Sequence, residues 1–270
     1  MWLPWEYGLV LAALFAFAAS RLFSGSPRLA AIAREATLVS LLYSLWQFAG
    51  QLSLLGIDDA IARGEWIWNF ERALRLPDEL ALQNFVRPSS FWTQFSNLYY
   101  AILHVPAMGA FLVWLFLRHR EKYPTWRNAL ALTTGASLLI QLIPVAPPRL
   151  TEATGMIDTG VEYGQSLYGT LGYTIAGQLQ AMPSIHVAWA AIVGWGVWEA
   201  SSSRWRWVGP AHFLITFLVV AITGNHYWLD GIVAMALLVV ARAAGAKIAG
   251  WSTNRSEPAA VLDEPVAVAT

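Results

Sequence analysis

The sequence predicts an all-α fold: a polytopic membrane helical bundle with about six to seven transmembrane helices and an interfacial amphipathic helix. Of its 270 residues, 57% are hydrophobic and only 13% are charged, whereas a soluble domain carries roughly a quarter charged residues. Many of its 15 tryptophans lie near the ends of apolar runs, where their rings anchor helices at the membrane surface. The zero formal net charge gives no indication of a nucleic-acid partner, and the lack of cysteine excludes disulfides and thiol chemistry.

Seven apolar runs approach the roughly 17 to 25 residues that a spanning helix needs. The first is weakened by Glu6 and the fifth is short. In chain order the runs cover residues 4–23, 37–57, 95–117, 128–145, 183–199, 208–223 and 229–247.

These runs predict a single integral membrane domain over residues 1–249. The remaining residues, 250–270, contain Pro, Ala and acidic residues without periodicity, which predicts a disordered cytoplasmic tail. The N-terminus lacks a basic start and a small-residue cleavage pattern, so we expect no cleavable signal.

Two connections between the predicted spans are long. In the first, residues 58–94, Trp66, Phe70 and Leu74 recur every fourth residue, as in a helix that lies in the bilayer interface. The second, residues 150–182, is rich in Gly, Thr and Tyr and predicts an irregular lid.

Basic residues are unevenly distributed between the two sides of the predicted spans. Twelve lie in the connections of one side and five in those of the other. Because cytoplasmic loops are enriched in Lys and Arg, the N-terminus is expected outside and the C-terminus in the cytoplasm. This orientation places three polar segments on the extracytoplasmic face: residues 146–149, 183–186 and 224–230.

His226 and Asp230 are four residues apart and would share a face of a helix that begins near His226. A carboxylate that accepts one imidazole proton fixes the tautomer and leaves the other nitrogen as a nucleophile or base. The alternative is a hydrogen-bonded pair that stabilises a helix end.

Ser184 and His186 follow Pro183, a residue suited to the first turn of a helix. The N-terminus of such a helix attracts anions, phosphate above all; otherwise these residues end a loop and His186 is interfacial. Arg149 suits bidentate binding of phosphate oxygens, although an Arg at this position could also extend its charge to the membrane surface.

Together these segments resemble the type 2 phosphatidic acid phosphatase superfamily. The likeness is greatest to its inositolphosphotransferase-type branch, which includes the fungal inositol phosphorylceramide synthases, and it covers roughly residues 66–240. The motifs that carry it are Pro147-Pro148-Arg149, Pro183-Ser184-Ile185-His186, His226-Tyr227-Trp228-Leu229-Asp230, Asn69-Phe70-Glu71-Arg72, Asn97-Leu98-Tyr99-Tyr100 and His104.

The resemblance implies a metal-independent mechanism without a cofactor. His226 would be the nucleophile that forms a phosphohistidine, and Asp230 would orient it. His186 would be the general acid that protonates the leaving alkoxide, while Arg149 and Ser184 would bind the phosphate.

The chain departs from the wider superfamily at its phosphate-binding cations. Many members carry a Ser-Arg pair where this sequence has Val219 and Val220, and a Lys where it has Leu142. A phosphate monoester dianion would require more positive charge than Arg149 alone supplies. The departure therefore favours a phosphodiester substrate.

Asn97, Tyr100 and His104 are spaced to share one helical face. With Glu71, they are candidates for binding a headgroup or an acceptor, and a hydrogen-bonded contact between helices is the alternative.

The sequence thus predicts a lipid phosphotransferase at the extracytoplasmic face of the cell membrane. It would transfer an inositol-phosphate-like headgroup between a lipid and a small alcohol. One alternative is a polyprenyl or diacylglycerol phosphate phosphatase, in which water is the acceptor. An alternative of another class is a multi-span transporter with a His/Asp proton relay.

Overall fold

A computed structural model describes residues 4–49, 57–166 and 175–254. Within these ranges the chain contains no β-strand, and a single bridge joins Val145 and Gln180, so the all-α prediction is confirmed. The α-helices are α1 (Trp5–Phe17, continued by a π-helical turn at Ala18–Leu22), α2 (Pro27–Ala49), α3 (Ile57–Ala73), α4 (Glu79–Val86), α5 (Ser90–Ile102), α6 (His104–Arg118), α7 (Tyr123–Gln141), α8 (Thr159–Glu162), α9 (Ile175–Gln178), α10 (Ile185–Ala200), α11 (Val208–Ile222) and α12 (Trp228–Asn254).

Three helical segments of the described chain are long and apolar enough to cross a membrane: Trp5–Leu22, Arg204–Ile222 and Trp228–Ile248. The bent pair α5 and α6 would make a fourth. This number is lower than the six to seven spans predicted from the sequence. The difference has physical causes, since α10 has only 16 residues and α7 carries polar side chains such as Arg127. The predicted second span extends into residues 50–56, which lie outside the described residues.

The predicted span at residues 95–117 is broken into α5 and α6, which are bent by 51°. Pro106 lies in the first turn of α6. Because proline has no N–H and its ring clashes with the carbonyl four residues earlier, it bends a helix at this point. The bend leaves Nδ1 of His104 3.1 Å from the carbonyl oxygen of Tyr100.

The apolar core lies between α6, α7, α10 and α12. Five of its large side chains are at most 3% exposed. Helix α11 packs closely on α10. The approach is so close that a Cβ on Gly209 would lie 2.8 Å from the carbonyl oxygen of Gly194. The core residues include Phe111, Leu115, Trp126, Ile192 and Leu238.

Helices α1 and α2 pack against each other and contact the core helices through Glu35. This side chain accepts a hydrogen bond from the Tyr123 hydroxyl at 3.1 Å and forms an ion pair with Arg127 at 2.5 Å. At the other end of the chain, α12 continues to Asn254. The first residues of the predicted tail are therefore helical, and residues 255–270 lie outside the described residues.

Helix α3 is amphipathic, and its two faces differ in exposure. The rings of Trp66 and Phe70 stack at 5.1 Å and are exposed. On the opposite face Ile67 and Glu71 are buried. The buried face of α3 packs beneath the segment that joins α11 to α12, and this contact positions the site described next.

Candidate active site

The turn between α11 and α12 carries His226. Gly224 has a left-handed φ of +65°, and α12 begins at Trp228, so His226 precedes the helix by two residues. The prediction that a helix begins near His226 is therefore confirmed to within two residues. Asp230, in the first turn of α12, accepts a hydrogen bond from the Tyr227 N–H at 2.9 Å, as in a capping box. This contact brings its carboxylate to 3.3 Å from Nδ1 of His226.

The His226 imidazole is held in one tautomer. Its Nδ1 lies 2.8 Å from the carbonyl oxygen of Ala181, which is closer than Asp230. Because both neighbours accept hydrogen bonds, Nδ1 carries the proton and Nε2 keeps its lone pair. Burial lowers the pKa of His226 to about 4, so the ring is neutral at physiological pH.

The lone pair of His226 faces the start of α10. Its Nε2 lies 3.4 Å from Nδ1 of His186. Ser184 is the N-cap of α10, with its hydroxyl oxygen accepting from the Val187 N–H at 3.3 Å, and its own N–H donates to the Asp230 carbonyl at 3.2 Å. Pro183 therefore precedes the cap and lies two positions before Ile185, the first residue of the turn in which the sequence predicted it.

Arg149 follows α7 in a 3₁₀ turn and packs against the His226 turn. Its Nε donates to Asn225 at 2.9 Å, and its Nη1 forms an ion pair with Asp158 at 2.7 Å. Gly224 suits this position because its left-handed φ is strained for other residues, and a Cβ on it would also crowd Cβ of Arg149 at 3.1 Å. The Arg149 charge is close enough to contribute to the lowered pKa of His226.

Two of the predicted headgroup residues adjoin the histidines. The Tyr100 ring centre lies 4.3 Å from that of His186, and the His104 ring lies 4.8 Å from His186. Asn97 exchanges hydrogen bonds with Thr159, its amide oxygen accepting at 2.7 Å. A small polar pocket is lined by Asn97, Tyr100, Asp158, Gly160, Gln165, Ser166 and Asn225.

Glu71 lies behind the His226 turn, away from this pocket. Its carboxyl accepts a hydrogen bond from the Leu229 N–H at 2.6 Å, and Glu79 accepts one from the Trp228 N–H at 3.2 Å. With Asp230, three carboxyl groups thus bind three successive N–H groups at the start of α12. Burial, followed by the hydrogen bond and charge of Glu79, raises the pKa of Glu71 to about 9, so Glu71 is neutral at physiological pH.

Val219 and Val220, which stand where many superfamily members carry a Ser-Arg pair, lie in an apolar environment. Val219 and Val220 are buried and pack with Tyr100 and Val187. These valines thus extend the apolar core to the edge of the site. Arg149 supplies the positive charge beside His226.

Sequence reasoning missed three contributors to this geometry. The Ala181 carbonyl had no signal, because every residue has a backbone carbonyl. Asp158 lies in the predicted lid and becomes notable only through its contact with Arg149. The capping role of Glu79 depends on its distance from Trp228, which is far away in the chain.

Comparison with known proteins gives one match. No curated protein and no solved structure matches the chain. A family model described as the PAP2 superfamily matches residues 65–244, which is more than half of the chain and includes every residue of the site. The match confirms the resemblance to type 2 phosphatidic acid phosphatases that the three polar segments indicated. This chain belongs to the PAP2 superfamily.

Proposed function

We propose that the protein is an integral membrane phosphotransferase that moves an inositol-phosphate-like headgroup between a lipid and an alcohol at the extracytoplasmic face. Membership in the PAP2 superfamily indicates a phosphatase or phosphotransferase with a lipid substrate. The observation that carries the proposal is the orientation of His226. Its Nδ1 is directed at the Ala181 carbonyl and its Nε2 at His186, so the nucleophilic lone pair lies beside the imidazole that we propose as the general acid.

The first half of the reaction forms a phosphohistidine. The lone pair of His226 Nε2 attacks phosphorus, the bond between phosphorus and the leaving alcohol oxygen breaks, and His186 donates a proton to that oxygen. The attacking and departing atoms lie in line on opposite sides of phosphorus. The two imidazoles, 3.4 Å apart, therefore separate when the phosphoryl group enters.

The second half reverses these steps with a different alcohol. The acceptor hydroxyl loses its proton to His186 and attacks phosphorus, and the phosphorus–nitrogen bond breaks to restore His226. The imidazole is positively charged while it carries the phosphoryl group. The Ala181 carbonyl and Asp230 stabilise this charge through Nδ1.

The polar pocket beside the histidines supports an alcohol acceptor. Its amide and hydroxyl side chains, including Asn97 and Gln165, suit one hydroxyl group of a polyol such as inositol or a sugar, because its volume of about 20 Å³ has room for about one water molecule. Val219 and Val220 add no charge, which supports a phosphodiester with a single negative charge. A transporter with a proton relay is disfavoured, because such groups are expected at the middle of the membrane and these lie at helix ends.

The proposal is tested with purified protein, radiolabelled lipid phosphates and lipid phosphodiesters, each with and without inositol or a sugar alcohol. We expect transfer to the alcohol and a labelled phosphoenzyme. His226→Ala should abolish both, whereas His119→Ala is a matched control because His119 contacts Trp114 outside the site. Release of phosphate alone would identify a phosphatase. If the protein showed no release and no transfer with any of these substrates, the proposal that it is an enzyme would be refuted.

The orientation is tested separately in intact cells. The charge distribution supports a cytoplasmic C-terminus, so we expect a tag after residue 270 to be protected from an impermeant reagent. A tag before residue 1 should react. The reverse pattern would place the site on the cytoplasmic face.

A further inference from the structure

The positive charge of the site is neutralised by the protein itself. Nη1 of Arg149 lies 2.7 Å from a carboxylate oxygen of Asp158, and the two side chains are 2% and 21% exposed. The other carboxylate oxygen of Asp158 accepts a hydrogen bond from the Val161 N–H at 3.0 Å, at the start of α8. Asp158 is thus held in place by two contacts on its two oxygens.

Asp158 also lines the polar pocket next to Asn97, Tyr100 and Asn225. A phosphate that binds the Arg149 guanidinium therefore comes close to the Asp158 carboxylate, because both anions bind one cation. The carboxylate repels the phosphate with an energy proportional to the charge on the phosphate. Because the pair is mostly buried, solvent and salt screen this repulsion only in part.

We propose that Asp158 is a specificity-determining residue that offsets the charge of Arg149 and excludes phosphate dianions, so that the site selects phosphodiesters with one negative charge. The substrate class rests on the proposed function, which this inference deepens. Selection by repulsion is a general route to specificity, since it weakens binding of the wrong ligand more than that of the right one.

An exposed ion pair close to α8 offers a comparison. Arg87, between α4 and α5, and Glu162, in α8, lie 2.9 Å apart, with side chains 44% and 35% exposed. Solvent screens such a pair strongly, and Glu162 does not line the pocket. Glu162→Gln is therefore a matched control, because it removes one carboxylate charge from the same segment.

The test measures direct binding of methyl phosphate and dimethyl phosphate to the full-length protein in detergent. At about pH 7.5 the monoester is mainly dianionic, because its second pKa is near 6. Asp158→Asn keeps an acceptor for the Val161 N–H and removes the charge. We expect methyl phosphate to bind at least about tenfold more tightly and dimethyl phosphate to change several-fold less. Glu162→Gln should change neither affinity, and Arg149→Ala should abolish the gain.

An unchanged affinity for methyl phosphate, or an equal gain for both ligands, would overturn the inference. If Asp158→Asn fails to fold, the wild-type protein still provides a test, because it should bind dimethyl phosphate more tightly than methyl phosphate. The opposite order would contradict the selection. Binding is measured without turnover, so failure of the transferase proposal would be seen only in the transfer assay.

Discussion

Replacement of Asp230 by Asn tests how the His226 imidazole is held. Two oxygens lie near Nδ1 of His226: the Ala181 carbonyl at 2.8 Å and Asp230 at 3.3 Å. An Asn at position 230 can still accept the hydrogen bond that the Tyr227 N–H donates to Asp230 at 2.9 Å. The substitution therefore removes the negative charge and leaves the turn in place.

The expected loss of turnover is about tenfold. The Ala181 carbonyl accepts from Nδ1 whichever side chain occupies position 230, so the tautomer with a lone pair on Nε2 is retained. A hydrogen bond to a charged group contributes about 1.5–3 kcal/mol, against about 0.5–1.5 kcal/mol for a neutral one. A difference of about 1.4 kcal/mol corresponds to about tenfold in rate, and the long contact to Asp230 supports no larger value.

The assay compares kcat for Asp230→Asn and His226→Ala on a lipid phosphodiester. Glu199→Gln is the control, because Glu199 is a carboxylate that pairs with Arg242 away from the site. We expect a partial loss for Asp230→Asn, a complete loss for His226→Ala and none for Glu199→Gln. A loss of about a thousandfold or more in Asp230→Asn would refute the reasoning, since it would show that Asp230, and not Ala181, sets the tautomer.

Two further predictions concern the support of the site. Burial and Glu79 raise the pKa of Glu71 from 4.5 to about 9. Its contribution to stability is therefore complete below about pH 4.5 and is lost as the pH rises toward 9. Glu71→Gln should flatten the pH dependence of the melting temperature over this window, and a dependence parallel to that of the wild type would contradict the assignment. Gly224→Ala should destabilise the fold by about 1–3 kcal/mol and weaken binding of dimethyl phosphate, because its Cβ would meet Arg149. Gly155→Ala is the control for the strain of a left-handed backbone, because Gly155 has a φ of +66° and a Cβ on it would meet only Leu80. An equal loss of binding in both variants would contradict the role of Gly224.

The helices around the site follow local patterns and were predictable. The apolar runs at residues 183–199, 208–223 and 229–247 correspond to α10, α11 and α12, with starts that differ by at most two residues. Apolar length and the Gly and Pro residues at the run ends are properties of neighbouring residues, which a sequence displays directly. The count of spans was less predictable, because α10 is short and the bend before Pro106 divides one apolar run between two helices.

The residues that surround His226 illustrate the limit of sequence reasoning. Composition and local spacing determine that the chain is helical and apolar and that His186, His226 and Arg149 end its apolar runs. Tertiary structure determines that the Ala181 carbonyl orients His226, that Asp158 neutralises Arg149 and that Glu71 supports the start of α12. The physical reason is chain separation: the hydrogen bond from Leu229 to Glu71 joins residues 158 positions apart, and no local pattern records which distant groups meet when helices pack.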